Sequence, residues 1–408
     1  MRDRDLYAKM LGIEAPWRVV DVALDLAASR VEVFLEHDPK DRLKCPECAR
    51  EASGYDVRER RWRHLDTMQY QTVLVGKMPR VECPEHGVKQ VKAPWAEPGS
   101  RFTAMFEALA IDWLKEASIT AVARHLRLSW DEVSGIMGRA VRRGLARRGR
   151  TLPAHLGVDE KSFQRRHEFV TLVVDQDRGT VVHISDHRRA QSLDEFYEQF
   201  SPEELAQVET VSMDMWDPYI KSTRAHVPQA DAKIAFDKFH VVKQLTHAVD
   251  LVRRKEHKSL RAKGNNALRR SRYYWLQNSA RMSKERRATF EAMRDSARKT
   301  ARAWAIKELA LKLWDYRRAG WARKAWTRWY GWAIRSQLGP IKAVARTTKR
   351  HLQGIVNAIV HGVTNARAEG LNSIIQWLKY SARGYRNRER FRNAIYFHLG
   401  GLDLYPQA

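Results

Sequence analysis

Disulfides, membrane spans and an excess of acid are what this sequence does without. Three cysteines in 408 residues exclude a disulfide framework, and their spacing points to a metal instead. No apolar run approaches the ~18–20 residues that cross a bilayer. The opening MRDRDLYAKM carries no apolar signal segment, so the expectation is a cytoplasmic protein with no membrane partner. Clean internal repeats and low-complexity tracts are missing too. Acids are the scarce charge: 48 Asp plus Glu stand against 74 Lys plus Arg, a net charge of +26. A surplus of that size points to a polyanionic partner, most simply nucleic acid. With 44% hydrophobic and 30% charged residues, the chain folds rather than staying disordered, and its length allows two to four domains.

What is present changes character along the chain. WRVVDVALD and SRVEVFLEH alternate apolar and polar residues with period two, the pattern of half-buried strands. All three cysteines follow, in LKCPEC and VECPEHG, and then a Pro/Gly-containing break, APWAEPGS. From Phe102 the period becomes helical. Ser118 opens a short helix, and Ser129-Trp130-Asp131-Glu132 is a capping box for the next. LGVDEKSF, HEFVTLVVDQ and GTVVHISD read as three strands; a helix from Ser192 separates them from two more, VETVSMD and AKIAFDKFH. That order predicts an α/β unit with a mixed sheet. Residues 241 to about 350 read as helical and basic and hold seven of the fourteen Trp; a last helix carries NARAEGLNSIIQWLK, followed by the Arg-rich SARGYRNRERFRNAIYFHL.

Cys45-x-x-Cys48 and Cys83-x-x-His86 are two chelating knuckles. Each spacing lets both members of a pair reach one tetrahedral ion, and thiolate plus imidazole suits zinc. Four protein ligands close the site, so its expected role is structural. The block 101–146 reads as a helix-turn-helix with 129–145 as the recognition helix. Arg139, Arg142 and Arg143 are expected on its outer side, either as phosphate contacts or as a solvated face. The same two readings apply to Arg383, Arg386 and Arg388 in the Arg-rich tail.

Few acids in a basic chain make their placement informative. Asp159 sits in the first strand of the α/β segment and Asp214 ends a later one, while Glu369 lies on a helix one turn after Asn365. Neighbouring strands can bring the two Asp side by side, and a helix packed on the sheet can supply the third acid. Three carboxylates that close repel one another. Hard divalent cations, magnesium or manganese, neutralise such a cluster.

At this point GVDEKSF, VSMDMWDPYIK, IAFDKFHVVK and NARAEGLNSIIQWLKYSARGYRN together resemble the DDE transposases of bacterial insertion sequences, the ISL-three group. The likeness runs along nearly the whole chain. It implies a multidomain α/β plus α protein: a zinc-binding β module (1–97), a helix-turn-helix (98–150), a ribonuclease H-like core begun at 151–243 and finished at 351–408 with a basic C-terminal segment, and a large all-helical insertion (244–350). It implies that Asp159, Asp214 and Glu369 hold two magnesium or manganese ions, and that His240, in an Asp-x-x-His signature starting at Asp237, acts near the scissile phosphate. It further implies double-stranded DNA partners (element ends and target), a homodimer or larger assembly, and a bacterial, nucleoid-associated location. His86 departs from the pattern, since many relatives have a fourth cysteine there. Two rival readings are a zinc-bearing DNA-binding regulator without catalysis and a structure-selective nuclease of the same fold.

Overall fold

The computed structural model describes residues 2–150, 152–164, 168–277, 282–362 and 366–407, without the side chains of residues 164, 292 and 366–369. The chain forms two compact units, residues 1–149 with 389–408, and residues 150–388. The segment expected as 351–408 is therefore shared between them.

The first unit begins with a short helix, α1 (Asp3–Leu11), then strands β1 (Trp17–Asp25), β2 (Arg30–His37), β3 (Ser53–Arg63), β4 (Gln71–Cys83) and β5 (Gly87–Gln90). Their order is β1-β2-β4-β3, with β5 paired to β4. The β2–β4 pair is parallel and the others are antiparallel. The alternating sequence places Val31, Val33 and Leu35 of β2 inside, where they meet Trp17, Trp62 and Trp95. Those three indoles pack edge to face, with centroids 4.9 and 5.3 Å apart. Gly76 permits this: a Cβ there would lie 2.9 Å from the Trp62 ring.

Three helices follow: α2 (Ala104–Glu116), α3 (Ile119–Leu126) and α4 (Trp130–Arg148). Each starts where a hydroxyl side chain accepts an orphan backbone N–H: Thr103 from Phe106, Ser118 from Ala121 and Ser129 from Glu132. At α4 the Glu132 carboxylate accepts the Ser129 N–H at 2.8 Å, completing the capping box. Arg127, in the left-handed region at φ 54°, makes the turn between α3 and α4. Val122, Val133, Ile136, Ala140 and Val141 are buried between the helices. The chain's terminal helix, Arg388–Leu399, buries Phe391, Ala394 and Ile395; Asn393 lies against Gly138 of α4.

The second unit is built on β6 (His155–Gln164), β7 (Glu168–Asp175), β8 (Thr180–Asp186), β9 (Thr210–Met213) and β10 (Ile234–Phe236). The order β10-β9-β6-β7-β8 makes a mixed sheet: β10, β9 and β6 run parallel, and β7 and β8 return antiparallel. Between β8 and β9 lie α5 (Ala190–Tyr197) and α6 (Pro202–Ala206); α7 (Asp217–His226) and α8 (Ala230–Lys233) precede β10. Helix α5 starts at Ala190, two residues before the expected Ser192. Ser192 falls inside the first turn, where its hydroxyl donates back to the Asp186 carbonyl at 2.6 Å.

From there the unit is helical: α9 (Lys238–Arg261), α10 (Arg272–Leu276), α11 (Lys284–Ser296), α12 (Arg298–Lys312), α13 (Ala319–Arg335), α14 (Gly339–Arg350), α15 (Leu352–Val360) and α16 (Ala366–Ser381). Helices α10, α12 and α14 pack along α9. Trp275, Trp326 and Trp329 are buried there, whereas Trp321 is 59% exposed. Helix α15 seats on β10 through Gly354, where a Cβ would come within 2.4 Å of the Phe236 ring. That close approach fixes the strand end on which the acids discussed next depend.

Candidate active site and metal centre

The two cysteine knuckles meet. The ligand atoms of Cys45, Cys48, Cys83 and His86 lie within 4.8 Å of one another. Sulfur to sulfur, Cys48 and Cys83 are 3.8 Å apart, and His86 Nδ1 is 3.6 Å from Cys83 and 3.9 Å from Cys45. Four ligands at zinc bond lengths around one tetrahedral centre stand about 3.5–3.8 Å apart, so the residues fit the ion. Cys45 and Cys83 are buried with Val81, while His86 is exposed. Backbone N–H groups of Cys48 and Glu47, turned toward Cys45, hold its thiol below the ordinary value against the opposing effect of burial.

The acids are arranged by strand register. Gly157 of β6 pairs with Ser212 of β9, and Ser212 with Ala235 of β10. Counting two residues on along each parallel strand gives Asp159, Asp214 and Asp237. Asp214 and Asp237 therefore stand side by side just past the carboxyl ends of β9 and β10, where ligands of such sheets bind. The same register carried two residues on brings Asp159, in the middle of the longer β6, alongside them. A backbone hydrogen bond from Asp237 to Met213, at 3.5 Å, carries the ladder to the end of the row.

Helix α9 starts at this edge. Asp237 is its N-cap, accepting the Phe239 N–H at 3.0 Å, and the positive end of the helix faces the carboxylates. One turn in, His240 Nδ1 lies 2.8 Å from Asp214 Oδ1 and 3.2 Å from Asp237 Oδ2. Burial disfavours the imidazolium, but the hydrogen bonds and charges of Asp214 and Asp237 outweigh it and lift His240 to about 9. The ring is thus cationic at neutral pH. On β6, Lys161 Nζ is 3.3 Å from Asp159 Oδ2. Glu160, the next residue on β6, pairs with Arg188 at 2.7 Å. Burial raises Glu160's pKa; Arg188 opposes the shift, and Asp214 and Asp159 add to it.

Each expected residue has a definite place. Asp214 and His240 meet at 2.8 Å, and Asp159 lies on the adjacent strand β6. The backbone of Glu369 belongs to α16, whose Leu371, Ile375 and Leu378 are buried; its side chain, like all of Asn365, lies outside the described residues. Lys379 of α16 donates to the Ser162 carbonyl at 2.6 Å, tying that helix to β6. Among the described residues, the Cys/His cluster is the one group of three or more metal-type ligand atoms within 4.8 Å, so the Asp row is more open.

Two expected arginines are corrected. Arg139 and Arg143 do not form an outer face, because Glu107 of α2 is 1% exposed and draws both inward, at 2.6 and 2.9 Å. Arg143 also binds Glu97 at 2.5 Å and the Leu404 carbonyl. Helical periodicity names a face but not the buried acid that claims it. Arg388 is engaged within its own unit by Glu168 at 3.2 Å and Asp186 at 3.6 Å. Arg142, Arg383 and Arg386 are exposed. Asp237 was legible in the sequence only as part of a signature. The missed signal is that VSMD and IAFD both end an apolar strand in Asp.

Carboxylates held at a strand edge in a chain of net charge +26 suit a polyanion that must be drawn in by the surrounding cations and then worked on. The class so defined is a DNA-processing protein. Comparison with known proteins makes it specific. A transposase family model matches residues 156–395, the helix-turn-helix domain of transposase family ISL3 matches 91–141, and the zinc-finger of transposase IS204/IS1001/IS1096/IS1165 matches 41–86. The transposase for insertion sequence element IS1001 of Bordetella parapertussis is 27% identical, over 88% of this chain and 89% of its own. That for IS1557 of Mycobacterium tuberculosis (strain CDC 1551 / Oshkosh) is 29% identical, over 95% and 93%. The chain belongs to transposase family ISL3, whose members are DNA-cleaving transposases with a DNA-binding helix-turn-helix and a zinc ribbon. No helix among the described residues is long and apolar enough to cross a membrane.

Proposed function

We propose that the chain binds the terminal inverted repeats of its own insertion sequence and carries out metal-dependent strand cleavage and strand transfer in a ribonuclease H-like core interrupted by a helical insertion. The sheet order β10-β9-β6-β7-β8 supports that core, and the long helical run after β10 supports the insertion. The observation that carries the reading is the parallel β6–β9 register, which two residues on brings Asp159 of β6 alongside Asp214 at the end of β9.

In this reading Asp159, Asp214 and Glu369 are the metal-holding acids, and Asp237 completes the row. Hard carboxylate oxygens suit magnesium or manganese, and Lys161 and His240 place positive charge where a cation also fits. Two such ions, when bound, supply charge neutralisation at the attacking and leaving oxygens of an in-line displacement. The chain's own residues position and exclude. Asp237 orients His240, and the imidazolium, protonated on Nδ1 toward the two carboxylates, presents its Nε2–H to a phosphate oxygen. Exposed Arg142, Arg383 and Arg386 hold the DNA backbone without reading sequence. Water and then the 3′-hydroxyl of the cut strand act in turn as nucleophile, with no covalent enzyme intermediate. Two ends must be joined, so a homodimer or larger assembly is the working form, in the bacterial cytoplasm with the nucleoid.

Asp214→Asn tests this. End binding should persist and strand cleavage fall by roughly 10³-fold or more, read by gel shift and by nicking of a labelled end. A variant that still cleaves removes Asp214 from the chemistry.

A further inference from the structure

Two residues past Asp214, Trp216 is 37% exposed, in a position no helical or strand pattern requires to be aromatic. One face of its indole is covered by the Arg188 guanidinium, whose carbon lies 4.1 Å from the ring centroid. This is the closest cation–ring approach among the described residues. Arg188 is held from behind by Glu160, the neighbour of Asp159 on β6, at 2.7 Å, and it lies 5.3 Å over Phe169 as well. Its Nε is buried without a hydrogen-bond partner among the described residues. The guanidinium is therefore placed by one ion pair and two ring faces rather than by satisfied donors.

Arg188 covers one face of the ring, and more than a third of the residue still remains exposed. The backbone between the two residues is a tight turn, the Trp216 backbone N–H donating to the Asp214 carbonyl at 2.7 Å, and the ring itself is held by Arg188. A partly exposed indole, backed by a cation and two residues from Asp214 in a basic protein, is suited to stacking a flat, electron-poor ring that arrives attached to phosphate. Nucleobases fit that description, whatever their sequence.

We propose that Trp216, backed by Arg188 and latched by Glu160, is a stacking platform for an unpaired nucleobase of the DNA end, next to the phosphate that is cut. This rests on the reading of Asp214 as part of the cleavage site. The base leaves the duplex, lies on the indole, and so brings the backbone down to the acid row without the helix colliding with the sheet edge. Extrusion is least costly at a frayed or nicked terminus.

The test uses the full-length chain and a duplex end carrying 2-aminopurine at each nucleotide flanking the cut in turn. The Asp214→Asn background keeps the DNA intact while emission is read. One position should change its emission on binding, and Trp216→Ala should abolish that change while end affinity stays within about twofold. In the otherwise wild-type chain, Trp216→Ala should cut about 10- to 100-fold more slowly and Trp216→Phe within about threefold of wild type. An abasic nucleotide at the responsive position should make wild type and Trp216→Ala cut alike. Equal emission with and without Trp216, or a cleavage gap that persists on abasic DNA, overturns the proposal. Should Trp216→Ala fail to fold by thermal melting, Trp216→Leu and Arg188→Met take its place, and an emission change retained in both has the same consequence. The two readings separate cleanly: cleavage by Asp214→Asn refutes the active-site assignment, whereas the emission response depends on Trp216 alone.

Discussion

Two sets of charged groups, one in each unit, are handled in opposite ways. In the first, ionic groups are consumed by structure. The four zinc-type ligands close on one another, and Glu107, 1% exposed, is saturated by Ser100, Arg139 and Arg143. In the second, Asp159, Asp214 and Asp237 stand in an open row, balanced among them by Lys161 and one shared imidazolium. A saturated cluster stabilises its unit; an under-balanced one keeps capacity for substrate and ions at the expense of local repulsion. Perturbing the first unit should therefore be felt as stability, and perturbing the row as rate.

The largest effect should come from the closed cluster. Metal binding to such small sites is worth on the order of 10 kcal/mol of folding free energy. Cys83→Ser, or a strong chelator, is expected to unfold the ribbon and abolish end binding, seen as loss of one zinc per chain by metal analysis and a collapsed melting transition. Next come the arginines. Arg143→Ala leaves Glu107 buried and under-compensated, a loss of about 3–5 kcal/mol, measured by denaturant unfolding. Exposed Arg142→Ala should change stability by under about 0.5 kcal/mol and instead weaken DNA binding with a shallower salt dependence. Equal effects of the two would erase the distinction drawn here between inner and outer faces of α4.

His64 offers a pH test of the same unit. Burial, with the Arg63 charge adding to it, depresses its pKa to about 4, and its Nδ1 shares a 2.9 Å hydrogen bond with the Thr103 hydroxyl that caps α2. The unfolded chain takes up this proton near pH 6.5 and the folded chain only near pH 4. The favourable contribution is therefore complete above the unfolded value and disappears as pH falls through that window, by at most about 3 kcal/mol. Wild type minus His64→Gln, compared by urea unfolding at pH 7 and pH 4.5 with zinc present, isolates it. In the row the expected effect is on rate and not on stability. Asp237→Asn should slow cleavage about 10- to 100-fold, as loss of an orienting partner does, yet leave melting within a degree or two. A large stability loss instead would place Asp237 with the structural acids.

How much could be read beforehand follows from the range of each interaction. The cysteine knuckles, the Ser129 capping box and the strand repeats involve partners within a few residues, and each was visible as a spacing. So was the mixed sheet, because strands broken by a helix and then resumed leave little other choice. Arg139 and Arg143 were misassigned, since nothing local to α4 reveals that Glu107, on another helix, is buried against them. The alignment of Asp237 with Asp214 was hidden for the same reason. It exists only once β10 pairs with β9 in one register, where a slip of a single residue would turn the carboxylate to the opposite face.

The sequence by itself determined the order of parts, the ligand set of the metal cluster and the kind of partner, because composition and short spacings are properties of the chain alone. Tertiary structure decided which acids share an edge, which arginines remain exposed, and that the chain's last twenty residues belong with its first unit. The reason is physical: burial and strand register are set by groups distant in sequence, and a side chain's chemistry changes with the partner that reaches it.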